Sequence, residues 1–229
     1  AGAVNQHDGV ITYTQWLGED GGIRADLTVT RLASDDFLVV VSDTAHGSAL
    51  GQLRRAVGDA EATVEDVTTD HGLLTVQGPA SRATLQGAAP GTDWSSESFP
   101  FRAARRLEIA GVEVLAIRIT YLGELGWELY SPADRTVEVW DAVLAAGEAH
   151  GIRPAGLRAL SSLRMEKGYR DYGHDIDNTD TSLEYLEKVV SVNQHGAWLM
   201  VRAVAPVMVE KGYGRIINQA SGAAYSYMF

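Results

Sequence analysis

Two strand-like runs separated by only two residues constrain the fold of this chain more than any other feature. The runs are "RRLEI" and "VEVLAIRITY", and Ala110-Gly111 lies between them. A two-residue connection that contains glycine predicts a tight β-hairpin, and therefore an antiparallel pair of strands. Strand pairs are mixed here with helices, without regular alternation of strand and helix. The fold class is therefore predicted to be α+β, with mixed or antiparallel sheets and flanking helices.

Hydrophobic periodicity predicts the remaining elements. Further strands are expected at residues 10–14, 27–32, 37–41, 63–68, 73–78 and 127–131. Helices are expected at residues 47–57, 80–87, 134–150 and 156–168. In the third helix, the spacing places Val137, Trp140, Val143 and Leu144 on one apolar face.

The residue pattern changes after Asp180. A long, mostly apolar helical segment follows, and it leads into residues 213–221, which are typical of a buried strand. This change predicts a domain boundary. Residues 1–180 would form one domain, and residues 181–229 a separate helix–strand fragment.

Composition excludes several classes of function. The chain has 19 basic and 30 acidic residues, a net charge of −11, which argues against a nucleic-acid partner. It has no cysteine, so disulfides, thiol catalysis and zinc–thiolate sites are excluded. No apolar run has membrane-spanning length and no signal sequence is present, so we expect a cytoplasmic protein without a membrane partner. No metal is expected either, since His174 has no second histidine at ligand spacing.

Asp26 is the first candidate site residue. It follows a Gly-Gly turn and directly precedes an apolar strand, so its carboxylate is well placed to face a cavity. The alternative is a turn aspartate that is satisfied by nearby backbone N–H groups.

The stretch "YLGELGWELY" contains the other candidates. As a regular strand, it would place Glu124 and Glu128 on one face. Two carboxylates on one face are unfavourable unless they are solvated or bound to a ligand rich in donors. A solvated strand is the simpler alternative, but it gives no reason for Gly123 and Gly126, which indicate close approach of the backbone to another group.

Five motifs occur in one order along the chain and together resemble a known family. They are "ITYTQWLGEDGGIRADLTVTRLASDDFLVV", "VQGPASRATLQ", "FPF", "RITYLGELGWELY" and "PAGLRALSSLRMEKGYRDYGHDIDNTDT". They are similar to the folate-binding aminomethyltransferase domain of dimethylglycine and sarcosine dehydrogenases, and more distantly to the T-protein of the glycine cleavage system. The resemblance covers about residues 8–182. It implies an α+β fold around a central cavity that holds tetrahydrofolate.

The resemblance also implies roles for individual residues. Asp26 matches the family's catalytic aspartate, which lies beside the folate nitrogens and supports capture of a one-carbon unit. Glu128 matches the glutamate that holds the pterin, and Tyr121 matches a tyrosine that lines the folate site. Gly123 and Gly126 would let the backbone lie close to a flat heterocycle. A regular strand would send Tyr121 and Glu128 to opposite faces, so their convergence on one ligand requires a bend or bulge at Gly123 or Gly126.

Two departures from the family affect the expected partners. Leu160 stands where the T-protein has an arginine near the glutamate tail of folate, and Arg158 is out of register. No flavin-binding segment is present, so no flavin is expected in this chain. The amine-derived one-carbon donor would come from a flavin-dependent amine dehydrogenase domain.

The C-terminal part resembles a second family. The run "EKVVSVNQHGAWLMVRAVAPVMVEKGYGRIINQAS", about residues 182–225, is similar to the middle of short-chain dehydrogenases/reductases. Asn193 and Ser221 match that family's asparagine and catalytic serine, but the Tyr-x-x-x-Lys pair and the glycine-rich nucleotide loop are missing. Three functions remain open: a folate-dependent one-carbon transferase domain, an NAD(P)-dependent reductase fragment, and a non-catalytic globular module.

Overall fold

The computed structural model describes residues 3–181 and 196–213. The predictions that concern Asn193, Ser221 and the strand beyond Tyr213 lie outside these residues. Within the described part, no helix combines the length and the apolar character that crossing a membrane requires.

The chain divides into two compact units. The first unit comprises Ala1–Leu17 and Arg24–Asp177, and it contains both β-sheets. The second unit joins Gly18–Ile23 with the described residues from Asn178 onward.

The first sheet has three strands in the order β1-β2-β3. They are β1 (Val10–Leu17), β2 (Ile23–Ala33) and β3 (Asp36–Val41). Strands β2 and β3 are antiparallel, with Thr28 opposite Val40. All three strands were predicted, because their β-branched and aromatic residues are bounded by polar turns.

The second sheet has four antiparallel strands in the order β4-β7-β6-β5. They are β4 (His71–Gln77), β5 (Ala104–Ile109), β6 (Val112–Ile117) and β7 (Gly126–Pro132). Antiparallel sheets combined with helices confirm the predicted α+β class.

The predicted hairpin is confirmed, with β5 and β6 joined by Ala110 and Gly111. Both residues have positive φ angles, 52° and 75° respectively. Positive φ at both central residues is the geometry that matches the twist of a two-residue hairpin.

The strand predicted at residues 63–68 is wrong. Asp66 Oδ1 accepts hydrogen bonds from the backbone N and the hydroxyl of Thr68, at 3.1 and 2.6 Å. A side chain that satisfies the local backbone in this way stabilises a turn instead of a strand.

Five α-helices are described. They are α1 (His46–Val57), α2 (Ser81–Ala88), α3 (Thr136–Gly147), α4 (Leu157–Glu166) and α5 (Gly196–Glu210). The predicted apolar face of α3 is partly wrong, because Val139 and Val143 are buried whereas Val137 is 69% exposed. A 3-10 turn, Ala133–Arg135, precedes the helix.

Apolar cores cover both faces of the second sheet. On one face, Trp127 and Leu129 of β7 pack with Leu85 of α2 and Val139 of α3. The rings of Trp94, Phe99 and Trp127 form an aromatic cluster in this core. Each large apolar side chain buried there contributes about 1.5–3 kcal/mol. The other face packs against the first sheet, through Ile11, Leu32, Leu38 and Val40 on one side and Leu115, Ile117 and Tyr130 on the other. The two sheets therefore face each other, and this inner layer places the candidate site.

Candidate functional site

Asp26 lies on the face of β2 that is turned toward the second sheet. Side chains alternate along a strand, and Leu27 and Val29 pack on the opposite face against Ala45. Asp26 therefore shares its face with Thr28, which lies opposite Val40, a member of the core between the sheets. Since Asp26 lies inside the strand, the alternative of a turn aspartate does not apply.

Tyr13 is the hydrogen-bond partner of Asp26. Its hydroxyl donates to Asp26 Oδ2 at 2.9 Å. Burial raises the pKa of Asp26 to about 6, against the lowering effect of the Tyr13 bond, and the charge of Asp171 raises it further. The carboxyl therefore titrates close to neutral pH.

The stretch before β7 bends instead of forming a strand. The strand predicted to run from Val112 through Tyr121 ends at Ile117. The bend expected at Gly123 or Gly126 is present, because Gly123 has a φ of 71° and β7 begins only at Gly126. A side chain on Gly123 would collide with the stem of Lys167, and one on Gly126 would collide with Gln77. The close approach inferred at both glycines is thus to side chains of this chain.

Tyr121 lies near Asp26. Its hydroxyl donates to the carbonyl oxygen of Arg170 at 2.8 Å, and its ring stacks on Tyr169 with 6.4 Å between the ring centroids. Burial raises the pKa of Tyr121 to about 12, and the charges of Asp171 and Asp26 raise it further, against the lowering effect of Arg164. The structure therefore places Asp26, Tyr121 and Asp171 in one electrostatic neighbourhood.

Glu128 lies on the facing sheet. It shares a face of β7 with Tyr130, a member of the core between the sheets, and is paired with Ile117 of β6. The Tyr130 hydroxyl donates to Glu128 Oε2 at 2.7 Å. Burial raises the pKa of Glu128, and the Tyr130 bond opposes this; Asp26 does not contribute. Asp26 and Glu128 are thus turned toward the same layer without direct interaction.

The loop after α4 contributes residues that the sequence did not indicate. Arg164 is buried, and it forms ion pairs with Asp175 and, at 4.0 Å between Nη2 and Oδ2, with Asp171. His174 Nδ1 lies 3.1 Å from Asp171 Oδ2. These contacts hold Asp171 beside the site. Among the described residues, no three histidine, aspartate or glutamate side chains are placed to hold a metal ion.

Tyr13 was also missed, although the sequence contains a signal for it. The turn between β1 and β2 is closed by a 2.8 Å bond from the Gly18 N–H to the Gly22 carbonyl oxygen. Tyr13 lies five residues before Gly18 and Asp26 lies four residues after Gly22, so a hairpin centred on that turn places them near each other on adjacent strands. Counting outward from the turn indicates this proximity, although it does not align the two residues directly.

Two open clefts lie near these residues. One, of about 350 Å³, is lined in part by Tyr13, and the other, of about 330 Å³, is lined in part by Gly123 and Gly126. Phe101 and Ile119 line both clefts, so the two are neighbours on the surface.

Comparison with known proteins identifies the family and the fold. The model of the GCVT N-terminal domain family matches residues 1–194. The glycine cleavage system aminomethyltransferase T from Bartonella henselae has a similar structure, with a TM-score of 0.64 and 27% identity, over 76% of this chain and 45% of that one. The fold and the match define an α+β domain of the aminomethyltransferase class. The chain belongs to the GCVT N-terminal domain family.

Two curated relatives are much longer proteins. The 4-methylaminobutanoate oxidase (formaldehyde-forming) of Paenarthrobacter nicotinovorans is 39% identical over 188 residues, 82% of this chain and 23% of the relative. The mitochondrial sarcosine dehydrogenase of Mus musculus is 38% identical over 196 residues, 79% of this chain and 21% of the relative. The chain therefore spans less than a quarter of the length of either relative.

A second family model overlaps the C-terminal part. The short chain dehydrogenase model matches residues 172–229, a minority of the chain. Helix α5 is the longest described element within that range.

Proposed function

We propose that residues 1–180 form a tetrahydrofolate-dependent one-carbon (aminomethyl or methylene) transfer domain, and that residues 181–229 are a separate short-chain dehydrogenase-like fragment. The observation that carries the first proposal is the position of Asp26. It is partly buried, within electrostatic range of Tyr121, on the sheet face turned toward the sheet that carries Glu128.

Asp26 has the chemistry that such a reaction requires. With a pKa of about 6, most of this carboxyl is ionised at neutral pH. An ionised carboxylate in a partly buried site stabilises positive charge that develops on a nearby amine. A pKa near the working pH also suits exchange of a proton with such an amine.

Glu128 and Tyr121 fit the pterin part of the cofactor. Tyr130 occupies Glu128 Oε2, and no hydrogen bond to Oε1 comes from the described residues. A carboxylate oxygen without a donor, in a partly buried position, suits the N–H donors at the edge of a pterin, and an aromatic ring suits its flat face. When bound, tetrahydrofolate supplies the nitrogens that carry the one-carbon unit. Gly123 and Gly126 line the second cleft, where they would let the backbone lie close to the ring.

The one-carbon donor is proposed to be amine-derived. Both long relatives are named for the oxidation of methylated amines, and this chain covers less than a quarter of each. We therefore infer that a flavin-dependent amine dehydrogenase domain is the partner that produces the donor. A cytoplasmic location remains a prediction from composition.

Titration calorimetry of the full chain with a stable reduced folate, such as 5-formyltetrahydrofolate, tests the proposal. We expect binding at a ratio of one to one, weakened by Asp26→Asn and more strongly by Glu128→Gln. A folded chain that shows no heat of binding would contradict the proposal. The match at residues 172–229 favours a second candidate, a nicotinamide-dependent reductase fragment, and titration with NADPH tests it.

A further inference from the structure

Two arginines lie on the same buried tryptophan. The guanidinium carbons of Arg82 and Arg118 are 5.9 and 5.5 Å from the ring centroid of Trp127. Arg118 Nη1 donates to the carbonyl oxygen of Phe99 at 2.6 Å, and Arg82 Nη2 donates to Ser96 Oγ at 2.9 Å. The ring and these bonds fix the positions of both guanidinium groups.

Neither arginine has an anionic partner in the described part of the chain. Other cations there do form ion pairs: Arg31 with Asp8, Arg106 with Glu113, Arg135 with Glu138, Arg164 with Asp175, and Lys167 with Glu124. Arg54 and Arg55 form no ion pair among the described residues either, but they are exposed at the end of α1, whereas Arg82 and Arg118 are partly buried and held on a ring. The net charge of the chain is −11. With so many carboxylates available, two fixed arginines without one point to a charge supplied by another molecule.

The hydrogen-bonding capacity of the pair is largely unused. A guanidinium group has five N–H donors, and each of these two makes one hydrogen bond to the described residues. Arg82 Nε is buried without an acceptor. Burial and the neighbouring charge of Arg82 lower the pKa of Arg118, so the two groups are close enough to repel each other.

Arg118 opens onto one of the two clefts. It lines the cleft of about 330 Å³ together with Thr120 and Leu125. Arg82 does not line this cleft itself, but its guanidinium group lies on the same Trp127 ring as that of Arg118. Glu124 also lines the cleft, but its charge is balanced by the Lys167 Nζ, 3.2 Å away.

We propose that this cleft binds an anionic oxygen group, a carboxylate or a phosphate, through Arg118 and Arg82. Such a group fills unused N–H donors, in the parallel geometry that guanidinium and carboxylate or phosphate share. It also removes the repulsion between the two cations. The inference does not depend on the proposed function. If folate is the ligand, its carboxylate tail would find a cation here, although Leu160 replaces the arginine that the resemblance implies.

Glutarate and inorganic phosphate are the probes that test this site. Each is titrated into the full chain at constant ionic strength, and backbone amide shifts in NMR spectra are followed. We expect saturable shifts that include residues 118–126. Arg82→Gln and Arg118→Gln should each weaken binding by about tenfold, the effect of losing one charge-assisted hydrogen bond. Tighter binding of glutarate indicates a carboxylate ligand, and tighter binding of phosphate a phosphorylated one.

Arg106→Gln is the matched control, because Arg106 is exposed and already paired with Glu113. Its affinity for both anions should equal that of the unmodified chain. Arg118 also donates a hydrogen bond to the Phe99 carbonyl oxygen, so its replacement affects the core as well. If Arg118→Gln does not fold, Arg82→Gln alone tests the proposal. No saturable shift with either anion would overturn the proposal. An equal loss of binding in Arg106→Gln would overturn it as well, because it would indicate nonspecific attraction.

Discussion

The hydroxyl of Tyr13 donates a 2.9 Å hydrogen bond to Oδ2 of Asp26 between the neighbouring strands β1 and β2. This bond favours the ionised carboxylate, whereas burial favours the protonated form. Burial has the larger effect and raises the pKa to about 6. The ionised form of Asp26 is therefore less favourable in the folded chain than in the unfolded chain.

Replacing Asp26 by asparagine should make the stability of the protein less dependent on pH. The pKa of Asp26 is 3.8 in the unfolded reference and about 6 in the folded chain. Its stabilising contribution is therefore complete below the unfolded value and is lost as the pH rises through about 6. Between about pH 4 and pH 7, the free energy of unfolding of the unmodified chain should fall by up to about 3 kcal/mol relative to that of Asp26→Asn.

Urea denaturation at both pH values measures this difference. Asp59→Asn is a suitable control, since Asp59 is exposed in a turn. The control should follow the unmodified chain at both pH values. If the free energies of unfolding of Asp26→Asn and the unmodified chain differed by the same amount at both pH values, Asp26 would not titrate in this range.

Glu128→Gln should weaken the binding of a reduced folate by roughly tenfold to a hundredfold, because a buried charge-assisted hydrogen bond is lost. Glu124→Gln is the matched control. Glu124 is exposed and paired with Lys167, so its loss should leave the affinity nearly unchanged. Calorimetric titration of both variants gives the comparison. Equal losses would mean that Glu128 does not meet the pterin.

Tyr121→Phe should lower the free energy of unfolding by about 1 kcal/mol, because the Arg170 carbonyl loses its donor. Tyr169→Phe is the control, since it retains the ring that stacks on Tyr121 and should have little effect. Denaturant titrations of both variants provide the test. If the two changes were equal, the hydroxyl of Tyr121 would have no role in holding the loop.

Asp175→Asn should lower the free energy of unfolding by about 3 kcal/mol, because it leaves the buried Arg164 without its nearest carboxylate. The comparison is Glu113→Gln, which breaks the exposed pair with Arg106 and should cost less than about 1 kcal/mol. Both values come from urea denaturation. Similar values for the two variants would indicate that burial of Arg164 has no energetic consequence.

The sequence predicted the secondary-structure elements that local residue preferences determine. The hairpin at Ala110-Gly111 follows from the positive φ angles that its two residues accept. The bend before β7 was anticipated as a requirement, because a straight strand would send Tyr121 and Glu128 to opposite faces. Local residue preference also explains the strands β1 to β4.

The sequence did not predict features that depend on contacts between residues far apart in the chain. Asp171 follows Asp26 by well over a hundred residues, and its position depends on the buried Arg164. No local pattern links these residues. The face of α3 was misassigned for a related reason, because packing against distant residues such as Leu85 and Trp127 decides which side is buried, and Val139 rather than Val137 meets the core.

The aromatic cluster on the outer face of the second sheet has an optical consequence. The indole rings of Trp94 and Trp127 are both fully buried, with 5.3 Å between their centroids and 89° between their planes. Two indoles this close couple their electronic transitions, and the coupled pair gives a circular dichroism couplet that separate indoles lack. The chain therefore contains an intrinsic, label-free reporter of its four-stranded sheet. The couplet disappears when the two rings separate, whatever the state of the rest of the backbone.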